Sequence, residues 1–145
     1  MFKHILLPSD GSPVSDAAVK KGIAFARETG ARITAIYVIP EFHIVAIDPL
    51  MVIDTREEYV KDCEAHASRI LSAIEAETRE QGVSCQTLFL TSDHPHEAII
   101  ETARGKECDL ICMASHGRKG MKGLLLGSET QKVLTHSQIP VLVYR

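Results

Sequence analysis

Two glycines and a serine in the last third of the chain have the spacing of a phosphate-binding turn. The motif starts at Ala114, continues to Gly117 and, after nine residues, reaches Gly127 and Ser128. Glycine lets the main chain approach a phosphate closely, and the N–H groups that begin a helix attract negative charge. The nine intervening residues include three basic ones, Arg118, Lys119 and Lys122. The pattern therefore predicts a phosphate site, and the positive charge suits a polyphosphate.

A second polar turn follows the first apolar run of the sequence. The turn Pro8–Ser12 comes directly after Ile5–Leu7, a run that is typical of a strand buried on both faces. Asp10 is its one charged residue, and it either approaches a ligand or serves as a turn residue before Gly11. Both interpretations of Asp10 stay open at this point.

Five strand-like runs alternate with four helical runs along the chain. The predicted strands are Phe2–Pro8, Ile33–Ile39, Val83–Leu90, Cys108–Ala114 and Ile139–Tyr144. The predicted helices start at Pro13, near Asp54, at Pro95 and at Ser128, and they end at Gly30, Gln81, Gly105 and about His136. Such alternation is typical of a parallel sheet covered by helices. We therefore predict an α/β fold: a single doubly wound domain over residues 1–145, with a five-stranded parallel sheet in the common order 3-2-1-4-5 and helices on both faces.

The predicted helix starts differ in their capping signals. Ser12 precedes a proline and fits the N-cap of the first helix. Asp93 or His94 is expected to cap the third helix. Ser128 and Gln131 have the spacing of a capping box at the fourth helix, which alone would explain the serine. Capping and phosphate contact at Ser128 are compatible, because other N–H groups of the first turn remain available.

The segment from Glu41 to Asp54 gives no clear periodic signal, yet it is too apolar for a solvated linker. Its length is near the upper limit for an unstructured connection within a compact domain. We interpret it as a flap that forms a lid over a ligand or a contact between two copies of the chain.

The two polar turns are expected to meet at one place. Ligands of open α/β sheets bind outside the carboxyl ends of the strands, where the strand order reverses. In the order 3-2-1-4-5 the reversal lies between the first and fourth strands. The turn at Pro8–Ser12 and the loop from Ala114 to Ser128 would then flank the same crevice.

Composition narrows the classes of partner. The chain has 145 residues, with 16 Lys and Arg against 19 Asp and Glu, and a formal net charge of −3. Nucleic-acid and membrane surfaces favour clustered positive charge, so we expect neither as a partner. No apolar run reaches the roughly 20 residues needed to span a bilayer, and we expect no targeting segment. We therefore expect a cytoplasmic protein whose four cysteines are thiols.

The sequence resembles the universal stress protein family over essentially its whole length. The motifs that carry the resemblance are Ile5–Ser12, Pro95–Glu97, Met113–Gly117, Gly127-Ser128 and Ile139–Val143. The ATP-binding branch of this family has a glycine, two residues, a second glycine, nine residues, and then Gly-Ser or Gly-Thr. Ala114 stands here in place of the first glycine. A positive φ at Ala114 would cost alanine about 1 kcal/mol or more, whereas at a negative φ alanine is only slightly bulkier than glycine.

The resemblance implies an adenine nucleotide as the ligand: ATP, or else ADP or AMP. Asp10 would approach the ribose or the adenine, and the main chain of Val38 would hydrogen-bond the adenine edge. The implied phosphate contacts are Gly117, Gly127, Ser128 and the amide of Glu129. The candidate site also takes in neighbours of these motifs, namely Pro8, Met113, Ala114, His116 and Arg118.

The resemblance also implies a role as a dimeric stress-response regulator or sensor, with pairing through the last strand, Pro140–Tyr144. Hydrolysis is expected to be weak at most, because the chain has no Walker lysine motif and no evident general base. Asp10 is the only obvious carboxylate for a Mg²⁺ ion on the phosphates. Two alternatives stay open: a nucleotide-free dimeric interaction module, and an adenylyl-transferring enzyme, which would need a signature that this chain lacks.

Overall fold

The sheet has the predicted strand order. The structure, a computed structural model, describes residues 1–43, 49–116 and 126–145, without the side chains of residues 49–54. Its strands are β1 (His4–Pro8), β2 (Arg32–Ile39), β3 (Cys85–Thr91), β4 (Leu110–Ala114) and β5 (Val141–Tyr144). Neighbouring strands pair in parallel in the order β3-β2-β1-β4-β5. The predicted fold class and strand order are confirmed.

Helices cover both faces of the sheet. They are α1 (Pro13–Thr29), α2 (Pro49–Glu80), α3 (Pro95–Gly105) and α4 (Ser128–His136). Buried side chains of α1 and α2 form one core with Ile5 and Leu7 of β1. Those of α3 and α4 form the other core with Leu6, which points the opposite way from the same strand. This alternation explains why β1 is a continuous apolar run rather than an alternating one.

The two ends of α1 follow the local sequence signals. The Ser12 hydroxyl accepts a hydrogen bond of 3.2 Å from the N–H of Ser15. Pro13 occupies the first helical position, where its missing N–H is no loss. Gly30 ends the helix with a left-handed φ of 72°, a conformation that glycine adopts without steric cost.

Helix α2 begins five residues before the predicted start. It starts at Pro49, another proline at the head of a helix, so part of the expected flap is helical. Residues 44–48 lie outside the described part, and with them the rest of the lid prediction. The described residues before them are attached to α2 and to the turn before α3. The Glu41 N–H donates to Asp93 at 3.0 Å, and the Phe42 ring packs on Tyr59.

The third helix starts at one of the two predicted cap positions, but without a side-chain cap. His94 occupies the cap position of α3, but its side chain accepts no hydrogen bond from the helix. The Asp93 carboxylate bonds the Glu41 N–H and lies 2.6 Å from His43 Nε2. Asp93 therefore joins two loops instead of capping a helix.

Two further properties of the described residues concern membrane-spanning helices and cysteine chemistry. In the described ranges, no helix is both long enough and apolar enough to cross a membrane. The four cysteines carry free thiols, as predicted. Burial raises the pKa of Cys108 to about 11 and that of Cys112 to about 12, so these thiols stay protonated at neutral pH.

Candidate functional site

The crevice at the reversal of strand order lies between β1 and β4. These strands are neighbours in the sheet, and their carboxyl ends point the same way. The chain leaves β1 for α1 on one face and leaves β4 for α4 on the other. The two connections therefore diverge, and the gap between them is the general ligand position of open α/β sheets.

The β1–α1 turn is held by its own hydroxyl and carboxylate groups. Asp10 Oδ1 accepts a hydrogen bond of 2.9 Å from the Ser12 N–H, which is the turn role considered above. Ser9 accepts from the Gly11 N–H and from the Ser15 hydroxyl, each at 3.2 Å. A carboxylate has lone pairs for several partners, so this turn role is compatible with a ligand contact at Asp10.

Backbone conformation favours glycine at position 11. Its φ is +76°, a left-handed value that a residue with a Cβ rarely adopts. A Cβ built there would also lie 2.5 Å from Cδ1 of Ile70 on α2. The Ile70 side chain of α2 thus lies directly against the β1–α1 turn.

The main-chain groups of Val38 point toward the crevice. The Ile36 carbonyl accepts from the Ser9 N–H at 2.9 Å, so Ile36 faces β1. Residues two apart in a strand direct their N–H and C=O groups to the same side, and Val38 therefore faces that side too. The pairing of β1 with β2 reaches only as far as Pro8 and Ile36. Val38 lies beyond it, at the carboxyl end of β2.

Ala114 lies unstrained at the end of β4. It is buried and pairs with Tyr144 of β5. Among the described residues other than glycine, Glu107 is the one with a positive φ. The backbone at Ala114 thus does not need the freedom of glycine, and the strain considered above is absent. Met113 next to it is buried in the core on the α3 and α4 face.

The first turn of α4 is tied to the end of β4. The Gly127 N–H donates to the Ser115 carbonyl at 2.6 Å, and the Thr130 hydroxyl donates to the Ala114 carbonyl at 2.9 Å. Neither bond needs a residue of the intervening loop. Sequence reasoning missed Thr130 and Ser115, because a Thr-to-carbonyl bond across a crossover leaves no pattern in the sequence.

The capping box predicted at Ser128 is wrong. Gly127 is the N-cap, with an extended backbone, and Ser128 is already the first helical residue. The Gln131 side chain bonds the Leu126 carbonyl at 3.1 Å. Since glycine has no side chain, α4 has no side-chain cap. Helix geometry then leaves the N–H groups of Ser128, Glu129 and Thr130 without intrahelical acceptors.

The Glu129 side chain faces α3. Its Oε2 accepts from the His96 N–H at 2.9 Å and lies 3.2 Å from His96 Nδ1, while Oε1 accepts from Lys132 at 3.2 Å. Burial by itself would raise the pKa of Glu129, but the hydrogen bonds from Lys132 and His96 outweigh it and lower that pKa. Glu129 is therefore a carboxylate at neutral pH.

The remaining candidates divide between described and undescribed positions. Pro8 ends β1 and is half-buried, and His116 is half-buried with Nδ1 2.9 Å from the Ser115 hydroxyl. Gly117 and Arg118, with Lys119 and Lys122, lie outside the described residues. In the rest of the chain, no group of three or more His, Cys, Asp or Glu side chains is placed to hold a metal ion.

A hollow of about 350 Å³ lies elsewhere, between α2 and the sheet edge at β3. Its lining residues are uncharged: Ser68, Leu71, Ser72, Thr87, Leu88 and Phe89. A phosphate needs cationic side chains or open N–H groups. This hollow therefore does not compete with the crevice between β1 and β4 as a phosphate site.

The fold and the crevice together define a doubly wound α/β protein with a ligand position at its switch point. A model of the universal stress protein family matches residues 1–145, and the chain belongs to that family. Universal stress protein MJ0531 of Methanocaldococcus jannaschii is 32% identical to it over 145 residues, covering 100% of this chain and 83% of that protein. The predicted family is confirmed.

Solved structures agree with this fold. The structure of MJ0577, also from Methanocaldococcus jannaschii, matches with a TM-score of 0.85 at 31% identity, covering 99% of this chain and 95% of that one. A universal stress protein solved in complex with cAMP matches with a TM-score of 0.71 at 20% identity, covering 99% and 97%. At that identity the second match shows the shared fold.

Proposed function

We propose that this chain binds an adenine nucleotide, ATP or else ADP or AMP, in the crevice between the carboxyl ends of β1 and β4. The observation that carries the proposal is the start of α4. This helix begins without a side-chain cap and is tied to the end of β4, beside the strand that leads into the β1–α1 turn. Open N–H groups at a helix start are suited to phosphate.

The phosphates would meet the first turn of α4. Its donors are the N–H groups of Ser128, Glu129 and Thr130, and the Ser128 side chain is exposed. The Gly127 N–H is already bonded to the Ser115 carbonyl, so it is not a donor for phosphate. Gly127 would instead let the phosphate approach closely, because it has no side chain. Gly117 and the basic residues after it, Arg118 first, would supply further contacts and positive charge from the loop.

The nucleoside would lie over the ends of β1 and β2. Val38 directs its N–H and C=O to this side, a donor and acceptor pair suited to the adenine edge. Asp10 is half-buried in the turn beside it and would approach the ribose. Pro8, Met113, Ala114 and His116 would complete the surroundings. Asp10 would be the candidate carboxylate ligand for a Mg²⁺ ion on the phosphates.

The relatives support the class of ligand. The universal stress protein solved in complex with cAMP shows that this fold accepts an adenine nucleotide. At its low identity that finding supports the ligand class alone, and the contacts proposed above depend on the residues of this chain. ATP, ADP and AMP all present the adenine and phosphate groups that these contacts require.

We also propose that the nucleotide acts as a signal in a dimeric stress-response protein of the cytoplasm, with the chain working as one unit. Family membership supports the stress role. Strand β5 is an edge of the sheet, and its side chains are half-buried, so Pro140–Tyr144 is suited to pairing with a second copy. Bound and free states would present different surfaces to partners.

The test is a calorimetric titration of the purified protein with ATP, ADP and AMP, with and without Mg²⁺. Two variants isolate the N–H donor of Ser128. Ser128→Pro removes it and keeps the helix, because proline is favoured at the first helical position and Gly127 is already extended. Ser128→Ala keeps the N–H and removes only the hydroxyl.

We expect Ser128→Pro to bind ATP about tenfold or more weakly than Ser128→Ala, as befits the loss of a hydrogen bond to a charged group. Equal affinities of the two variants would move the phosphates away from α4. If no nucleotide gives heat with the unaltered chain, and none is released on denaturation, the proposal fails and the nucleotide-free interaction module replaces it.

A further inference from the structure

The motif Pro95–Glu97 carries part of the family resemblance, yet the proposed nucleotide contacts do not use it. Within it, His96 lies in the first turn of α3 and faces the first turn of α4. Its backbone N–H and its ring nitrogen Nδ1 both address Glu129 Oε2, at 2.9 and 3.2 Å. The His96 side chain is only 13% exposed, so this contact is largely shielded from solvent.

Glu129 would be an unfavourable residue at a phosphate site if its side chain were unrestrained. It places a carboxylate in the same helical turn whose N–H groups are proposed to bind phosphate. Two negative charges beside one helical turn repel each other, and the partly buried setting screens them less than water does. In the structure both carboxylate oxygens are occupied: Oε2 by His96 and Oε1 by Lys132. They hold the carboxylate toward α3.

The charged and titratable groups around His96 come from two helices. From α4 they are Glu129 and His136, whose ring centroid is 5.8 Å from that of His96, with Lys132 bonded to Glu129. From the His96 side of the contact they are His94, with ring centroids 6.3 Å apart, and Glu97, whose Oε1 is 4.0 Å from Nε2. His96 is the one histidine of this group that touches Glu129 in the described chain.

We propose that His96 is a positioning residue for the phosphate site, which holds the Glu129 carboxylate against α3 and, when protonated, offsets its charge so that nucleotide binding strengthens as the pH falls. The inference rests on the proposed nucleotide site and adds its regulation. Histidine gains its positive charge between about pH 8 and pH 5. Over that range the net charge beside the first turn of α4 becomes more positive, which favours an anionic phosphate.

The first experiment measures ATP affinity at pH 8 and pH 6 for the unaltered chain, His96→Asn and His96→Ala. Asparagine keeps a donor near the position of Nδ1 but does not titrate, so it separates holding from charging. The matched control is His94→Asn, because His94 is the neighbouring histidine and has no contact with Glu129. The phosphates of ATP also titrate, but they do so equally for every variant, so ratios of affinities remove that effect.

We expect the affinity of the unaltered chain relative to His96→Asn to rise about threefold or more from pH 8 to pH 6, and the control to follow the unaltered chain. At pH 8, His96→Asn should bind ATP more tightly than His96→Ala, because it still holds Glu129. A ratio that does not change with pH, or equal affinities of the two His96 variants at pH 8, would overturn the inference.

A second experiment needs no nucleotide. Hydrogen exchange of the His96 amide reports whether Glu129 accepts its N–H. We expect exchange about tenfold faster in Glu129→Ala, and little changed in Lys132→Ala, which leaves that bond intact. Unchanged exchange in Glu129→Ala would overturn the holding role even if ATP binds. Absence of ATP binding in every variant, with faster exchange in Glu129→Ala, would instead mark the failure of the proposed function.

Discussion

At the scale of the residue, the two ends of β1 differ in the burial of their titratable side chains. At the carboxyl end, Asp10 is half-exposed in the turn that flanks the crevice, and its carboxylate accepts from the Ser12 N–H. At the amino end, His4 is only 5% exposed and its Nε2 lies 2.7 Å from the Thr34 hydroxyl. Burial, with a smaller contribution from Arg32, lowers the pKa of His4 below its ordinary value. The folded protein therefore favours neutral His4.

This burial predicts a loss of stability in acid. The unfolded chain takes up a proton at His4 near pH 6.5, whereas the folded chain does so only at lower pH. The stabilising contribution is therefore complete above about pH 6.5 and falls as the pH drops through the folded pKa, by up to about 1.4 kcal/mol per pH unit. The free energy of unfolding, measured with urea at several pH values, should fall less between pH 7.5 and pH 5.5 for His4→Gln than for the unaltered chain. His94 is exposed, so His94→Gln is the control. The same pH dependence of the free energy of unfolding in both variants would contradict the prediction.

The backbone conformation of Ala114 could not be predicted from the sequence. Its place in the motif was evident, but the cost of alanine there depends on φ, which no residue type reveals. The structure gives a strand position paired with Tyr144 and no positive φ. The departure from the family's glycine thus leaves the backbone at Ala114 unstrained.

At the scale of the element, α1 and α4 begin with similar sequences and different chemistry. Each has a serine at its start, but Ser12 caps α1 through its hydroxyl, whereas Ser128 is inside α4 and caps nothing. Pro13 gave a local reason to place the first cap correctly. The second cap was predicted one residue too late. A main-chain bond ties Gly127 to Ser115 at the end of β4, and local capping rules do not contain this constraint.

The difference between the two serines predicts different effects of the same substitution. Ser12→Ala should lower the free energy of unfolding by about 1 kcal/mol, the usual value of a lost cap. Ser128→Ala should change it by less than about 0.5 kcal/mol, because its side chain is exposed. Chemical denaturation of both variants checks this. Equal losses would show that Ser128 also caps its helix in solution.

At the scale of the whole molecule, the sequence predicted the strand order, the faces covered by helices and the position of the crevice. The helix-covered parallel sheet follows from the alternation of apolar strands and capped helices, which is a repeated and therefore robust signal. The strand order was assumed to be the common one for such domains, and the position of the crevice followed from it. Contacts between residues far apart in the sequence could not be predicted in the same way. The bonds from Glu129 to His96 and from Thr130 to Ala114 join residues whose types alone do not identify a partner.

The two edges of the sheet allow a matched test of dimer formation. Pro140 and Tyr144 direct their carbonyls to β4, so the N–H of Val143 points away from the sheet. Val143→Pro should block strand addition at β5, and sedimentation should show a shift from dimer to monomer. Phe89→Pro removes an outward N–H at the other edge, β3, and should leave the dimer intact. Dissociation by Phe89→Pro alone would place the interface at β3 instead.

The bond between Ser115 and Gly127 has a consequence for the history of this chain. It joins Ser115, directly after β4, to Gly127, directly before α4, through main-chain atoms alone. A bond between main-chain atoms does not depend on the side chains of the residues between its two ends. Side chains there can therefore be exchanged while the bond between Ser115 and Gly127 stays intact. Selection is free to alter what the chain recognises without rebuilding the frame that presents it.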